Sequence, residues 1–228
     1  MCYTFPMDEA TAATPKLTRK GQATRERIVA AASALIDARG VAGTSTEDVR
    51  EAAGVSASQL YHYFVDKKAL LRAVIAHQTA AVLAAQQPHL GQLDSLNALR
   101  AWRDHIVERR RRRKRQGGCP LGTLSCELAG ILPEARADLA DGFGAWEDAL
   151  RRGLRAMCAR GELPADADPD RLALALLAAV QGGLLLSQVR QDTAALEAAL
   201  DTTLAQIAAL AARSPRTNGA TAAGASRR

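Results

Sequence analysis

Aromatic side chains are scarce in this chain. It has two Trp, three Tyr and three Phe among 228 residues, against an apolar share of 48%. A core of that composition has to be built from Ala and Leu, both strong helix formers, so the expected fold is all-α. Histidine is scarce too, and His62, His77, His89 and His105 fall in no catalytic or metal-binding pattern. Cys2, Cys119, Cys126 and Cys158 lack paired metal-ligand spacing, and no secretory signal precedes them. They read as reduced thiols in a cytoplasm. No cofactor or metal is implied, and an enzyme working through Cys119 or a histidine is the weakest reading. One stretch, 172–189 (LALALLAAVQGGLLLSQV), is apolar over the length of a membrane span. Gln181, the Gly182–Gly183 pair and Ser187 interrupt it, so it reads as a helix buried on every side in a soluble protein.

Positive charge is present but local. The formal net charge is +6 and the pI about 9.5, which invites a nucleic-acid partner. The run RRRRRKR at 109–115 accounts for all of that excess. Three readings fit the run. It can be a solvated helix C-terminus, where the helix dipole favours cations, or an added attraction for phosphate. A nuclear-targeting or RNA-binding patch fits least. A case for DNA therefore has to rest on a motif and not on pI.

That motif lies between Thr24 and Leu71. Ile28, Ala31, Ala32, Leu35 and Ile36 recur at helical spacing, and Gly40 closes this first helix. Ser45 is placed to N-cap a second helix, with Asp48 three residues on completing a capping box and Glu47 and Asp48 at the favourable end of the dipole. Val49, Ala52 and Ala53 are expected to face inward. Gly54 makes a tight turn, and Ser56 caps a third helix at once. Two short capped helices around a glycine turn form a helix-turn-helix, whose second helix enters the major groove by its first residues. Leu60, Tyr63 and Phe64 read as core.

The same stretch resembles the DNA-binding domain of the TetR family of bacterial transcriptional regulators. The likeness is carried by TRERI near the start, AGVS at the turn, YHYF after it, and DKKALL. The chain has Ile36 where the family usually has Phe, Val41 where an aromatic is common, and Arg50 where a small residue packs between the two helices. Arg50 must then snorkel outward, either packing loosely or reaching a phosphate. The resemblance places Ala57, Ser58 and Gln59 at the bases, with Gln59 the best reader because an amide can bond adenine bidentately. It places Tyr61, His62 and Lys67 on phosphate, and Thr44 and Ser45 where hydroxyls and a helix N-terminus can grip the backbone as well. For Tyr61 and His62 the plain alternative is ordinary surface. Lys16, Arg19 and Lys20 read either as a basic arm on DNA or as a solvated tail.

Behind the motif the periodicity predicts six more helices, about nine in all. They run from Lys67 to Gln86, over 92–115, from near Thr123 to Pro133, from Arg136 to Arg160, from Pro169, and from Ala194 to Ala211. In the resembled family these form a ligand-binding and dimerisation body around a cavity. Trp102, His105, Phe143, Trp146 and Gln181 are candidate lining residues, each with core packing as its ordinary alternative. The segment GGCPLGTLSCELAG (117–130) resembles a subset of these regulators, some of which sense electrophiles or oxidants through the cysteine matched here by Cys119. A nearby helix N-terminus and arginines favour a thiolate there, while the alternative is a small residue in a tight turn. Cys126 reads as inert core.

The resulting expectation divides the chain into a disordered arm (1–20), a helix-turn-helix domain (21–66), a body (67–213) and a disordered tail (214–228). It describes a homodimeric repressor paired through its last two helices. The repressor binds a palindromic DNA operator and is released by a small apolar or aromatic molecule, or alternatively by electrophile sensing at Cys119. A ligand-free architectural DNA-binding protein is the remaining reading.

Overall fold

A computed structural model describes residues 17–112 and 117–214. Lys16, Cys2, the Arg113–Arg115 end of the basic run and the tail beyond Ser214 fall outside them. Among the described residues there are nine α-helices and no strand: α1 (Arg19–Arg39), α2 (Thr46–Ala53), α3 (Ala57–Tyr63), α4 (Lys67–Ala84), α5 (Leu96–Arg112), α6 (Pro120–Leu128), α7 (Pro133–Ala159), α8 (Pro169–Arg190) and α9 (Ala194–Arg213). A single 3-10 turn, His89–Gly91, separates α4 from α5.

Side-chain caps start many of these helices. Thr18, Ser45, Ser56, Asp66 and Asp168 each accept a hydrogen bond from a backbone N–H of the first turn. Such a cap is worth about 1 kcal/mol over alanine. Proline opens three helices of the body: Pro120, Pro133 and Pro169 sit at the starts of α6, α7 and α8. This corrects two expected boundaries. Pro133 starts α7 instead of stopping α6, and α6 begins at Pro120 and not near Thr123. At a helix's first position proline gives up no hydrogen bond and its φ is already helical. The first helix also starts earlier than expected, so Arg19 and Lys20 are helical.

α1 packs on α2 and α4, and α4 turns from α1 toward α7 and α6. The most extensive contact is between α8 and α9, joined by the short turn 191–193. Gly183 permits it, because a Cβ there would stand 2.6 Å from the Leu196 Cα. Both helices are long and apolar enough to span a membrane by length and composition, yet their buried faces pack inside the fold. α8 is not buried on every side, as its sequence suggested. Leu174, Ala178, Gly182, Leu185 and Val189 form an exposed stripe at helical spacing, with Val189 76% exposed. Ala52 and Cys126, expected inside, are also exposed. Ala52 falls off the α2 stripe that Val49 and Ala53 define, and Cys126 falls off the α6 stripe of Leu121, Leu124 and Leu128.

Candidate functional site

The helix-turn-helix is held from both sides. Ser45 and Asp48 form a reciprocal capping box at α2, and Ser56 and Gln59 form one at α3. Gly54, at φ 61° and ψ 46°, makes the left-handed turn between them. Leu60 and Phe64 are buried, Tyr63 is half-buried, and the Arg25 guanidinium lies 5.1 Å from the Phe64 ring centre. Arg27 Nε donates to the Ala53 carbonyl at 2.9 Å, fastening α1 to the end of α2. With its apolar side so fixed, α3 leaves Ala57, Ser58, Gln59, Tyr61 and His62 exposed together, and Tyr61 is 56% exposed.

Several site candidates already carry internal bonds. The Gln59 side-chain oxygen accepts from Ser56 N–H at 2.9 Å, so the candidate reader is also a cap. Arg50 does snorkel, but onto Glu47, with Nε 2.8 Å from Oε2, and it bonds weakly to the Val55 carbonyl. The guanidinium beside Glu47 holds that carboxyl below its ordinary value, and the Ser45 hydroxyl and N–H do the same for Asp48. Thr44 does not present its hydroxyl to solvent. The residue is buried and the hydroxyl donates to the Gly40 carbonyl at 2.8 Å. Lys67 Nζ donates to the Thr44 and Val41 carbonyls at 2.7 and 3.2 Å, binding the turn before α2 to the start of α4. An ammonium has three donors, so a phosphate would take the remaining one.

A cavity of about 110 Å³ opens where α4, α5, α6, α7 and α8 meet. Ala81, Val82, Ala85, Ile106, Trp146 and Leu184 form its apolar wall, and Gly117, Gly118, Cys119 and Pro120 its rim. Its polar residues are Gln78, Gln86, Arg109 and Arg110. Cys119 and Trp146 are therefore brought to one cavity. The other four candidates stand outside its wall. Trp102 is fully buried behind it and donates to Gln86 Oε1 at 2.9 Å. His105 Nε2 lies 2.9 Å from the Ala85 carbonyl, with its ring 4.9 Å from that of His89. Phe143 packs half-buried against the core, and Gln181 lies beside Gly122.

Sequence reading missed the polar wall. Gln78 interrupts the apolar stripe of Leu71, Val74, Ile75 and Val82 at a buried position, which was the available signal. Arg110 was hidden in the basic run. The structure divides that run: Arg111 pairs with Glu197 and Arg112 with Glu108, whereas Arg110 is 6% exposed and donates to the Ser187 carbonyl at 2.9 Å. A solvated helix end describes only part of it.

Side chains of two cavity-lining helices, α4 and α6, bond to the N-terminal region. Gln78 Nε2 donates to Ser33 Oγ at 2.6 Å and lies 3.1 and 3.2 Å from the Asp37 carboxylate oxygens, both on α1. At the far end of α6, Glu127 Oε2 accepts from Val41 N–H at 2.7 Å. A bidentate Arg72–Asp138 pair, at 2.6 and 2.9 Å, then fixes α4 to α7. Among the described residues no cluster of His, Cys, Asp and Glu is arranged to hold a metal.

Two family models match the chain. The one for bacterial regulatory proteins of the tetR family covers residues 28–74, and the one for the tetracyclin repressor-like C-terminal domain covers 95–203. An HTH-type transcriptional regulator of the lacX 3' region of Lactococcus lactis subsp. lactis is 30% identical over 189 residues, covering 78% of this chain and 90% of its own. The HTH-type transcriptional regulator TtgR of Pseudomonas putida is 30% identical over 173 residues, covering 72% and 79%. The crystal structure of a TetR transcriptional regulator from Chloroflexus aurantiacus superposes with a TM-score of 0.72 at 28% identity, over 84% of this chain and 97% of that one. These relatives are transcriptional regulators and not enzymes. With a capped helix-turn-helix in front of a helical body, the chain belongs to the TetR family of transcriptional regulators.

Proposed function

We propose that the chain is a homodimeric repressor that binds a palindromic operator through residues 21–66 and leaves it when a small molecule occupies the cavity of the body, 67–213. The observation that carries this is α3. Its apolar side is locked onto the N-terminal core, and its exposed side gathers Ala57, Ser58, Gln59, Tyr61 and His62 on one capped helix. Ala57, Ser58 and Gln59 meet base edges, while Tyr61, His62, Lys67 and Ser45 hold phosphate. Thr44 and Arg50 support this surface from within. The exposed stripe of α8, with Ala198, Thr202, Ala205 and Ala209 on α9, pairs with its copy in a four-helix bundle. Small side chains in the middle of both stripes allow close approach.

In a dimer the two recognition helices must sit about 34 Å apart to enter successive major grooves. A ligand releases DNA if it favours a dimer of another spacing. Moving the population from 1:99 to 99:1 takes about 5.5 kcal/mol of differential affinity. The test is fluorescence anisotropy on DNA from directly upstream of the chain's own gene, with salt and competitor DNA titrated. Tight, competitor-resistant binding is expected. Lys67→Met is expected to weaken binding to every sequence and lower the salt slope by about 1. Binding lost equally to any DNA would count against a specific reader.

A second reading is favoured by one observation: Cys119, the N-cap residue of α6, lines the same cavity. An electrophile entering it would meet that thiol. Release of DNA by a mild alkylating agent from wild type and not from Cys119→Ser supports this reading, and equal release from both removes it.

A further inference from the structure

We infer that the cavity selects a compact hydroxyl-bearing molecule, held through Gln78 and Trp146; this deepens the effector reading above and rests on it. Two wall groups of opposite hydrogen-bonding type carry the inference. Gln78, on α4, is 6% exposed. Among the described residues its side-chain bonds all run through Nε2, to Ser33 Oγ at 2.6 Å and to the Asp37 carboxylate at 3.1 and 3.2 Å. A carboxylate only accepts. The amide nitrogen must therefore face α1, and the amide oxygen is left for the cavity that Gln78 lines. Trp146, on α7, is 2% exposed and lines the same cavity. Its indole N–H has no acceptor among the described residues. A buried donor left unpaired is costly, so a polar partner belongs there.

The rest of the polar wall is taken. Gln86 is bonded to Trp102 and to the Val82 carbonyl, and Arg109 and Arg110 are engaged within the protein. One acceptor and one donor remain, and a hydroxyl meets both with a single atom. Its O–H donates to Gln78 Oε1, and its oxygen accepts from Trp146 Nε1–H. An ether offers only the second bond, and a hydrocarbon offers neither. The remainder of the molecule packs on Ala81, Val82, Ala85 and Leu184. An apolar cavity of about 150 Å³ holds one benzene ring, whereas this one is about 110 Å³. The fit is thus about four to six non-hydrogen atoms.

The experiment is nuclear magnetic resonance on the full chain, without DNA, with its two tryptophans labelled with nitrogen-15. The probes are alcohols of about three to five carbons, each paired with its isomeric ether. At least one alcohol is expected to move the Trp146 indole resonance downfield and to bind about ten-fold or more tighter than its ether. Gln78→Met is expected to erase that preference, which a merely structural loss would not. Trp146→Phe is expected to weaken alcohol and ether alike, read at the Trp102 resonance, because both accept from the indole. Circular dichroism confirms that each variant is folded, and Trp146→Phe with the wild-type ratio decides the matter if Gln78→Met does not fold. Equal binding of ether and alcohol, an unchanged preference in folded Gln78→Met, unchanged affinities in Trp146→Phe, or a Trp146 resonance that no alcohol moves overturns the proposal. In the last case water alone serves the two wall groups. The same preparations are assayed on upstream DNA. Alcohol binding without DNA binding would sink the repressor reading and leave the cavity assignment standing; DNA binding without alcohol binding does the reverse.

Discussion

Gln59 has one observed role and one proposed role. Its side-chain oxygen caps α3 by accepting from Ser56 N–H, and in the proposed function the same amide reads a base. Two substitutions separate these roles. Gln59→Ala is expected to cost about 1 kcal/mol of stability through the cap and about 1–3 kcal/mol of discrimination at the contacted base pair. Gln59→Glu keeps an acceptor for Ser56, so it is expected to spare the melting temperature and move the base preference from adenine toward cytosine. An equal loss on every sequence for both variants would show that Gln59 caps and does not read. A second residue-scale expectation concerns acid. Asp48 titrates below its ordinary value because Ser45 donates to it. A depressed carboxyl stabilises the fold fully above its unfolded value, about pH 4, and loses that contribution as pH falls through the folded value. Ser45→Ala is therefore expected to destabilise at pH 7, with the gap to wild type narrowing as pH falls below about 4. Urea midpoints at several pH values measure it, and a constant gap would contradict the assignment.

At the scale of elements, α4 and α6 are the members shared between the cavity and the N-terminal helices. α4 carries Gln78, bound to Ser33 and Asp37, and α6 runs from Cys119 at the cavity to Glu127 on the Val41 N–H. Lys67 grips the same turn from the other side. Glu127→Ala leaves Val41 N–H without its acceptor, at a cost of about 1–3 kcal/mol. Hydrogen exchange at the Val41 amide is expected to quicken by about 5- to 150-fold while the α8–α9 pair is unaffected; unchanged exchange at Val41 would show that Glu127 does not hold the turn. The helices themselves were legible in the sequence because their signals are local: Ser45 and Ser56 before α2 and α3, Gly54 between them, and stripes of Leu and Ala. Pro133 was misread because proline both stops and starts helices, and nothing local decides between the two. The Glu127–Val41 bond was not legible, since 86 residues separate the partners and neither breaks its own pattern. Arg110 was unreadable for a related reason. Which member of a run of like charges turns inward depends on α8 packing above it.

In the proposed dimer a second copy completes the molecule. Leu174, Leu185, Leu186 and Val189 leave α8 apolar and exposed in the single chain, and burying each such side chain is worth about 1.5–3 kcal/mol. The double substitution Leu185→Asp with Val189→Asp is expected to give a folded monomer in sedimentation and to abolish tight DNA binding, because one recognition helix alone does not span two half-sites. A dimer that survives this change would place the interface elsewhere. The most direct test of the central claim is a hydroxyl-radical footprint of the wild-type chain on DNA upstream of its own gene. The account predicts two protected half-sites related by a palindrome, their centres about one helical turn or a whole multiple apart. Protection that is continuous and independent of sequence, or confined to one half-site, would contradict a dimeric reader built on α3.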